Sequence, residues 1–229
     1  MGKFIDLTSA DGFKCPAYVA EPQGKAKGAM VVLQEIFGVN SHIQQVTDRF
    51  AEQGYYAIAP QMFERVEKGV DTGYNEATMK SGIALKAAVM ALPDNAIMKD
   101  IQAAIDHAAK TSGGKVGVIG FCFGGLLAWR SAAMLNGLSA AVPYYGGGMV
   151  ADEEIARQPK CPVMAHLSDH DHSAPMEGVN KLIKAHPEVT VHVYNADHGF
   201  NCDQRGAFNA EAATQARERT LAFLAKNLA

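Results

Sequence analysis

Residues 116–125 read Val-Gly-Val-Ile-Gly-Phe-Cys-Phe-Gly-Gly, an apolar run that breaks into Gly-x-Cys-x-Gly-Gly and passes into a helical pattern. Such a stretch demands a buried strand, a strained turn and a helix in immediate succession, with Cys122 at the turn. Side chains at Gly120 and Gly124 would collide with neighbouring backbone in so tight a turn, which accounts for the glycines. The pattern is that of a nucleophile elbow with sulfur in place of the usual serine oxygen. Free N–H groups and the positive dipole end of the helix favour a thiolate there and, later, an oxyanion on a bound substrate. The plainer alternative is a buried, inert cysteine beside a helix start.

Around this motif the chain alternates short β-like runs with longer helical ones. Ala17–Ala20 reads as an outer strand, and Ala29–Leu33 is apolar throughout, as a strand buried on both faces must be. Tyr55–Ala59, Val116–Ile119, Ala140–Tyr144, Pro162–His166 and Val189–Val193 read as further strands. Helical candidates lie near 41–53, 75–91, 95–111, 124–136, 175–185 and 207–226. The order predicts an α/β fold, with a mostly parallel central sheet flanked by helices on both faces, formed by residues 1–229 as a single domain. Residues 61–75, with Gly69, Gly73 and mixed charge, read as a flexible cover.

A formal net charge of −3 with interspersed signs lacks the basic footprint of a nucleic-acid binder. No apolar stretch approaches the roughly 18 residues of a membrane span. Lys3, Asp6 and Asp11 interrupt the first residues, so no secretory signal is expected and the chain should start near Met1. Cysteines 15, 122, 161 and 202 show no paired spacing, which fits a reducing cytoplasm. The expected partner is a small molecule, with no nucleic acid and no membrane. The oligomeric state is left open, a monomer being the simplest expectation.

In a parallel sheet, functional groups gather at the carboxyl ends of the strands. The strand ending at His166 runs into Ser168-Asp169-His170-Asp171-His172-Ser173, and the one ending at Val193 into Asp197-His198-Gly199-Phe200. Nucleophile, acid and base in that chain order are the α/β-hydrolase arrangement. Cys122, Asp171 and His198 are therefore the candidate catalytic residues, the base reaching the thiol and the acid fixing the tautomer of the base. Spacing alone does not separate Asp171 from Asp169, and Asp197 is a further rival. A metal reading of His166, His170, Asp171 and His172 lacks defined ligand spacing, so no metal is expected. His166 reads as a strand residue with a hydrogen-bonded ring. His42, His107, His186 and His192 read as solvated or structural, and Cys15, Cys161 and Cys202 as packing residues, Cys202 with a place at the pocket mouth.

Four segments together resemble the dienelactone hydrolase (carboxymethylenebutenolidase) family, over essentially the whole chain: Gln34-Glu35-Ile36-Phe37-Gly38-Val39-Asn40, the elbow, Asp171-His172 before Pro175, and His198-Gly199-Phe200. The resemblance implies an α/β-hydrolase fold and a triad of Cys122, Asp171 and His198. It also implies an oxyanion hole from the backbone N–H groups of Ile36 and Phe123, and a Glu35 that holds the resting cysteine neutral, moves when substrate binds and helps to activate it. The implied activity is hydrolysis of an ester or enol-lactone through a thioester, without cofactor. From the residues alone, Glu35 at the end of a buried strand also fits a salt-bridged or solvated carboxylate.

The chain departs from the family where arginines should hold a substrate carboxylate. The helical region before the elbow has Lys80 and no arginine, while Cys202 stands where the second arginine is expected and Arg205 follows three residues later. Lys80, Cys202 and Arg205 are the candidate substrate-binding residues. Dienelactone itself is therefore in question, whereas hydrolase chemistry is not. A non-catalytic or redox-responsive binding protein on the same scaffold is the rival reading, weakened by a base and an orienting acid that binding does not require. Haloalkane or epoxide chemistry would call for an aspartate in place of Cys122.

Overall fold

A computed structural model describes residues 2–229. In chain order its elements are β1 (Lys3–Thr8), β2 (Lys14–Ala20), β3 (Ala29–Leu33), α1 (Ser41–Glu52), β4 (Tyr56–Pro60), α2 (Glu76–Met90), α3 (Ala96–Ser112), β5 (Val116–Phe121), α4 (Phe123–Met134), β6 (Leu138–Tyr144), α5 (Asp152–Ile155), β7 (Met164–Ser168), α6 (Met176–Ala185), β8 (Thr190–Tyr194) and α7 (Ala210–Asn227). The eight strands form one sheet in the order β1-β2-β4-β3-β5-β6-β7-β8. β1, β2 and β4 pair antiparallel, and every pairing from β4 to β8 is parallel. This is the α/β-hydrolase architecture that the alternating pattern implied.

Strand periodicity divides the core into two layers. In β3, Ala29, Val31 and Leu33 face one cluster and Met30 and Val32 the other, so all five side chains are buried. The first cluster takes Ile97, Ile101 and Ile105 of α3, Leu126, Leu127 and Trp129 of α4, and Leu182 of α6. The second takes Ile43, Val46 and Phe50 of α1 with Ala216 and Leu224 of α7. Helices α1, α3 and α7 thus turn one apolar stripe to the sheet and α4 is buried along most of its surface, which holds the strand ends, and the loops leaving them, in fixed relation.

Two expectations change. β1 is an additional edge strand, mostly exposed, with Leu7 its one buried side chain. Residues 61–75 contain packed structure: Met62 and Phe63 are buried, Phe63 stacks on Phe123 at 5.8 Å, and Asp71 bridges to Gly38. No helix among the described residues is long and apolar enough to cross a membrane.

Candidate active site

The elbow forms because β5 delivers the chain into α4 with no intervening loop. Cys122 takes φ 54° and ψ −112°, a backbone conformation that costs a non-glycine residue about 1–3 kcal/mol and survives only where its surroundings enforce it. They do so by hydrogen bonds: the Cys122 N–H donates to the Tyr144 carbonyl (3.1 Å), and its own carbonyl accepts from Gly125 (3.0 Å) and Leu126 (3.2 Å). A Cβ at Gly120 would strike the Gly124 carbonyl, and one at Gly124 the Leu33 carbonyl, so the collisions inferred from sequence are present. Phe123, the first residue of α4, has no intrahelical acceptor for its N–H. The loop after β3 carries Ile36, against whose carbonyl Gly82 of α2 packs without room for a side chain.

The loops after β7 and β8 bring Asp171 and His198 together. His198 donates from Nδ1 to Asp171 Oδ2 at 2.7 Å. Asp171 Oδ1 accepts from the Ser173 N–H (2.8 Å) and hydroxyl (2.6 Å), and the Ser173 oxygen lies 3.1 Å from His198 Nδ1. With Nδ1 so occupied, the other ring nitrogen is left free of these partners, and Cys122 is near enough to act on the charge of the ring. Burial opposes a charge on His198, but the bond to Asp171 and the neighbouring Cys122 outweigh it and push its pKa up to about 10. Burial likewise opposes charge on Asp171, and the bonds from His198 and Ser173 prevail, holding it below the usual aspartate value. Asp169, the rival that spacing left open, accepts instead from the Ala196 N–H, and Asp197 is exposed beside His170. His166 is buried in β7 with its ring between the Tyr194 and Thr220 hydroxyls, as its strand position implied.

Glu35, at the end of β3, is 1% exposed and accepts from Arg205 Nη1 at 3.0 Å, while its Oε2 has no hydrogen-bond partner. Arg205 reaches it by passing over Gly199, which has φ +89° and whose missing Cβ would lie 2.5 Å from the guanidinium. The same guanidinium sits over the rings of Phe37 (5.7 Å) and Tyr74 (5.9 Å). Burial lowers the Arg205 pKa, and the neighbouring Glu35 and Cys122 more than restore it. Cys202 is fully buried rather than at a pocket mouth, because the turn after His198 folds its side chain inward toward the Tyr74 hydroxyl. Burial and then Glu35 push its thiol pKa up to about 11. Lys80 is exposed on α2, outside this polar network.

Sequence reasoning passed over Ser173, Tyr145 and Lys86. Tyr145 is fully buried at φ 34°, packs edge-on to His198 at 5.2 Å and carries a hydroxyl with no hydrogen-bond partner. Its pKa is raised well above normal by burial and by Glu35. Its position directly after β6, before Gly146-Gly147-Gly148, is the signal that could have found it, since it too lies on the carboxyl edge. Lys86 of α2 places its ammonium 5.8 Å from the Phe123 ring, and no sequence signal marked it. The carboxyl edge of the sheet thus holds a thiol, an imidazole and a carboxylate in relay order beside a buried ion pair.

The family model described as the dienelactone hydrolase family matches residues 15–228. A putative carboxymethylenebutenolidase of Synechocystis sp. is 36% identical over 219 residues, spanning 88% of this chain and 87% of the relative. The carboxymethylenebutenolidase of Pseudomonas putida is 32% identical over 227 residues, spanning 96% and 95%. Among solved structures, a putative dienelactone hydrolase from Klebsiella pneumoniae superposes with a TM-score of 0.82 at 29% identity, covering 98% of both chains.

Proposed function

Because this chain belongs to the dienelactone hydrolase family, we propose that it hydrolyses carboxylic esters or enol-lactones through a thioester on Cys122. The observation that carries this reading is the strained elbow that presents Cys122 at the start of α4, together with a His198 whose Nδ1 is bonded to Asp171 at 2.7 Å. A binding or redox-sensing protein has no need for that relay.

Cys122 gives its thiol proton to His198 as Sγ attacks the carbonyl carbon, and the Ile36 and Phe123 N–H groups donate to the oxyanion that forms. As the tetrahedral intermediate collapses, the carbon–oxygen bond to the leaving group breaks. His198, oriented by Asp171 and Ser173, passes that proton to the leaving oxygen, during departure for an ordinary ester and after it for a stabilised enolate, and so returns to the neutral imidazole. The imidazole then takes a proton from water, the resulting hydroxide attacks the thioester, and the carbon–sulfur bond breaks to release the acid and the cysteine. A thiolate is both a strong nucleophile and a good leaving group, which favours activated esters and lactones over amides.

Glu35 acts as the gate of this chemistry. A carboxylate repels a thiolate near it, so the Glu35 carboxylate restrains Cys122 until an acyl group enters and separates them. The unpartnered Glu35 Oε2 and Tyr145 hydroxyl supply polar atoms for that acyl group to meet. The partner is a small-molecule ester or lactone, and the four free thiols fit a reducing cytoplasm. A panel of activated esters and lactones assayed with wild type and Cys122→Ala tests the proposal: turnover should vanish in the variant with the fold intact by circular dichroism, and turnover that persists overturns it.

A further inference from the structure

His42 lies in the first turn of α1 with its side chain wholly excluded from solvent, and neither ring nitrogen has a hydrogen-bond partner. A buried imidazole normally bonds through at least one nitrogen, because an unmade buried bond costs about 1–3 kcal/mol. Nδ1 approaches Asp203 Oδ1 to 3.4 Å without making a hydrogen bond. Cys202 Sγ completes the group, and one ligating atom from each of the three residues lies within 4.8 Å of the others. The three groups thus lie close together, and the imidazole is bonded to neither of the other two.

From this arrangement we infer that His42, Cys202 and Asp203 form a zinc site, with solvent as the fourth ligand. Bonds of roughly 2.0–2.3 Å at tetrahedral angles set nitrogen and oxygen ligands about 3.3 Å apart and nitrogen and sulfur about 3.6 Å apart. The 3.4 Å between His42 and Asp203 already matches the first spacing. A thiolate with an imidazole selects a borderline-soft ion, where magnesium and calcium prefer oxygen. Binding forms the sulfur–zinc bond as the Cys202 thiol releases its proton to solvent, and thiolate plus carboxylate balance the dication.

Asp203 is the side of the group that opens to solvent, and the backbone is held on both sides. Asp203 is 46% exposed at its side chain and also lines a cavity of about 520 Å³ between α1 and α7, which none of Cys122, Asp171 and His198 lines. On one side, Asn40 caps α1 by accepting from the Ile43 N–H. On the other, Cys202 donates to the Gly199 carbonyl and accepts from the Arg205 N–H, a closed turn. Zinc would therefore tie the first turn of α1 to the turn that carries Arg205 to Glu35. The thioester chemistry on Cys122 makes no use of it.

Cobalt(II) added to the full chain is the probe, read by the thiolate-to-cobalt charge-transfer band and by thermal unfolding with and without Zn²⁺. One equivalent should bind with the band present in wild type and in Cys122→Ala, and the band should be absent in Cys202→Ala. Losing even an outer partner of a ligand costs roughly 10–100-fold in affinity, so Asp203→Ala should weaken binding by about tenfold or more. Asp203 is exposed, and this variant keeps the test decisive should Cys202→Ala fold poorly: Zn²⁺ should raise the unfolding temperature of wild type and not of Asp203→Ala. No band in wild type, a band lost in Cys122→Ala, or Zn²⁺ stabilisation undiminished in Asp203→Ala would each overturn the site.

Discussion

Arg205 Nη1 lies 3.0 Å from Glu35 Oε1, joining the loop after β8 to the end of β3 across 170 residues of sequence. Both side chains are largely buried, 13% and 1% exposed. Removing one partner of such a pair leaves an uncompensated buried charge, which costs about 3–5 kcal/mol. Arg205→Met should lose stability of that order in urea denaturation, and adding Glu35→Gln should restore part of it by removing the stranded charge. A single variant within about 0.5 kcal/mol of wild type would mean that the ion pair contributes nothing.

The Glu35 carboxylate also bears on Cys122. Glu35→Gln removes an anion from the chamber and leaves the Arg205 charge unopposed, and both changes favour thiolate chemistry. The free variant should react faster with iodoacetamide than wild type, while ester turnover falls because the activating group is gone. Equal alkylation rates across the pH range would confine Glu35 to a structural role.

His198 and Asp171 set opposite pH limits. The His198 pKa is raised to about 10 by bonds that outweigh its burial, so its contribution to stability is complete below the unfolded value of about 6.5 and is lost as pH rises through about 10. Asp171 is lowered, so its contribution is present above about 3.9 and is lost as pH falls through its folded value. Asp171→Asn should bring the His198 titration, followed by imidazole NMR, back toward neutrality and reduce kcat by at least about a hundredfold. An unmoved titration would disconnect the acid from the base.

Specificity follows from the engagement of Arg205. Its guanidinium is already committed to Glu35, and Lys80 stands exposed outside the network, so neither of these two expected cations is placed to hold a substrate carboxylate. Neutral lactones or activated esters should be processed at least as well as carboxylated analogues of similar size. A kcat/KM preference above about a hundredfold for the acid form, roughly 2.7 kcal/mol, would reveal a clamp. Its loss in Arg205→Ala or Lys80→Ala would locate that clamp.

The elbow was legible because only glycine fits where Gly120 and Gly124 meet backbone, and because β5 is apolar throughout. The strand-end positions of Asp171 and His198 followed from chain order. What spacing could not decide was which aspartate turns toward His198, since that depends on the Ser173 bonds that fold the loop after β7. β1 escaped notice because a strand with one buried side chain carries almost no alternation. The inward position of Cys202 and the reach of Arg205 over Gly199 are products of one turn, and His42 meets Cys202 only through the packing of α1 beside it. Such meetings of distant segments have no local pattern to betray them.

Covalent catalysis at Cys122 is tested most directly by intact-protein mass spectrometry of the enzyme quenched in acid during turnover of an activated ester, followed by peptide mapping. One added acyl group should appear, carried on the Cys122 peptide, labile to hydroxylamine as a thioester, and absent in Cys122→Ala. An acyl group on another residue, or hydrolysis that continues undiminished in Cys122→Ala without any adduct, would contradict it.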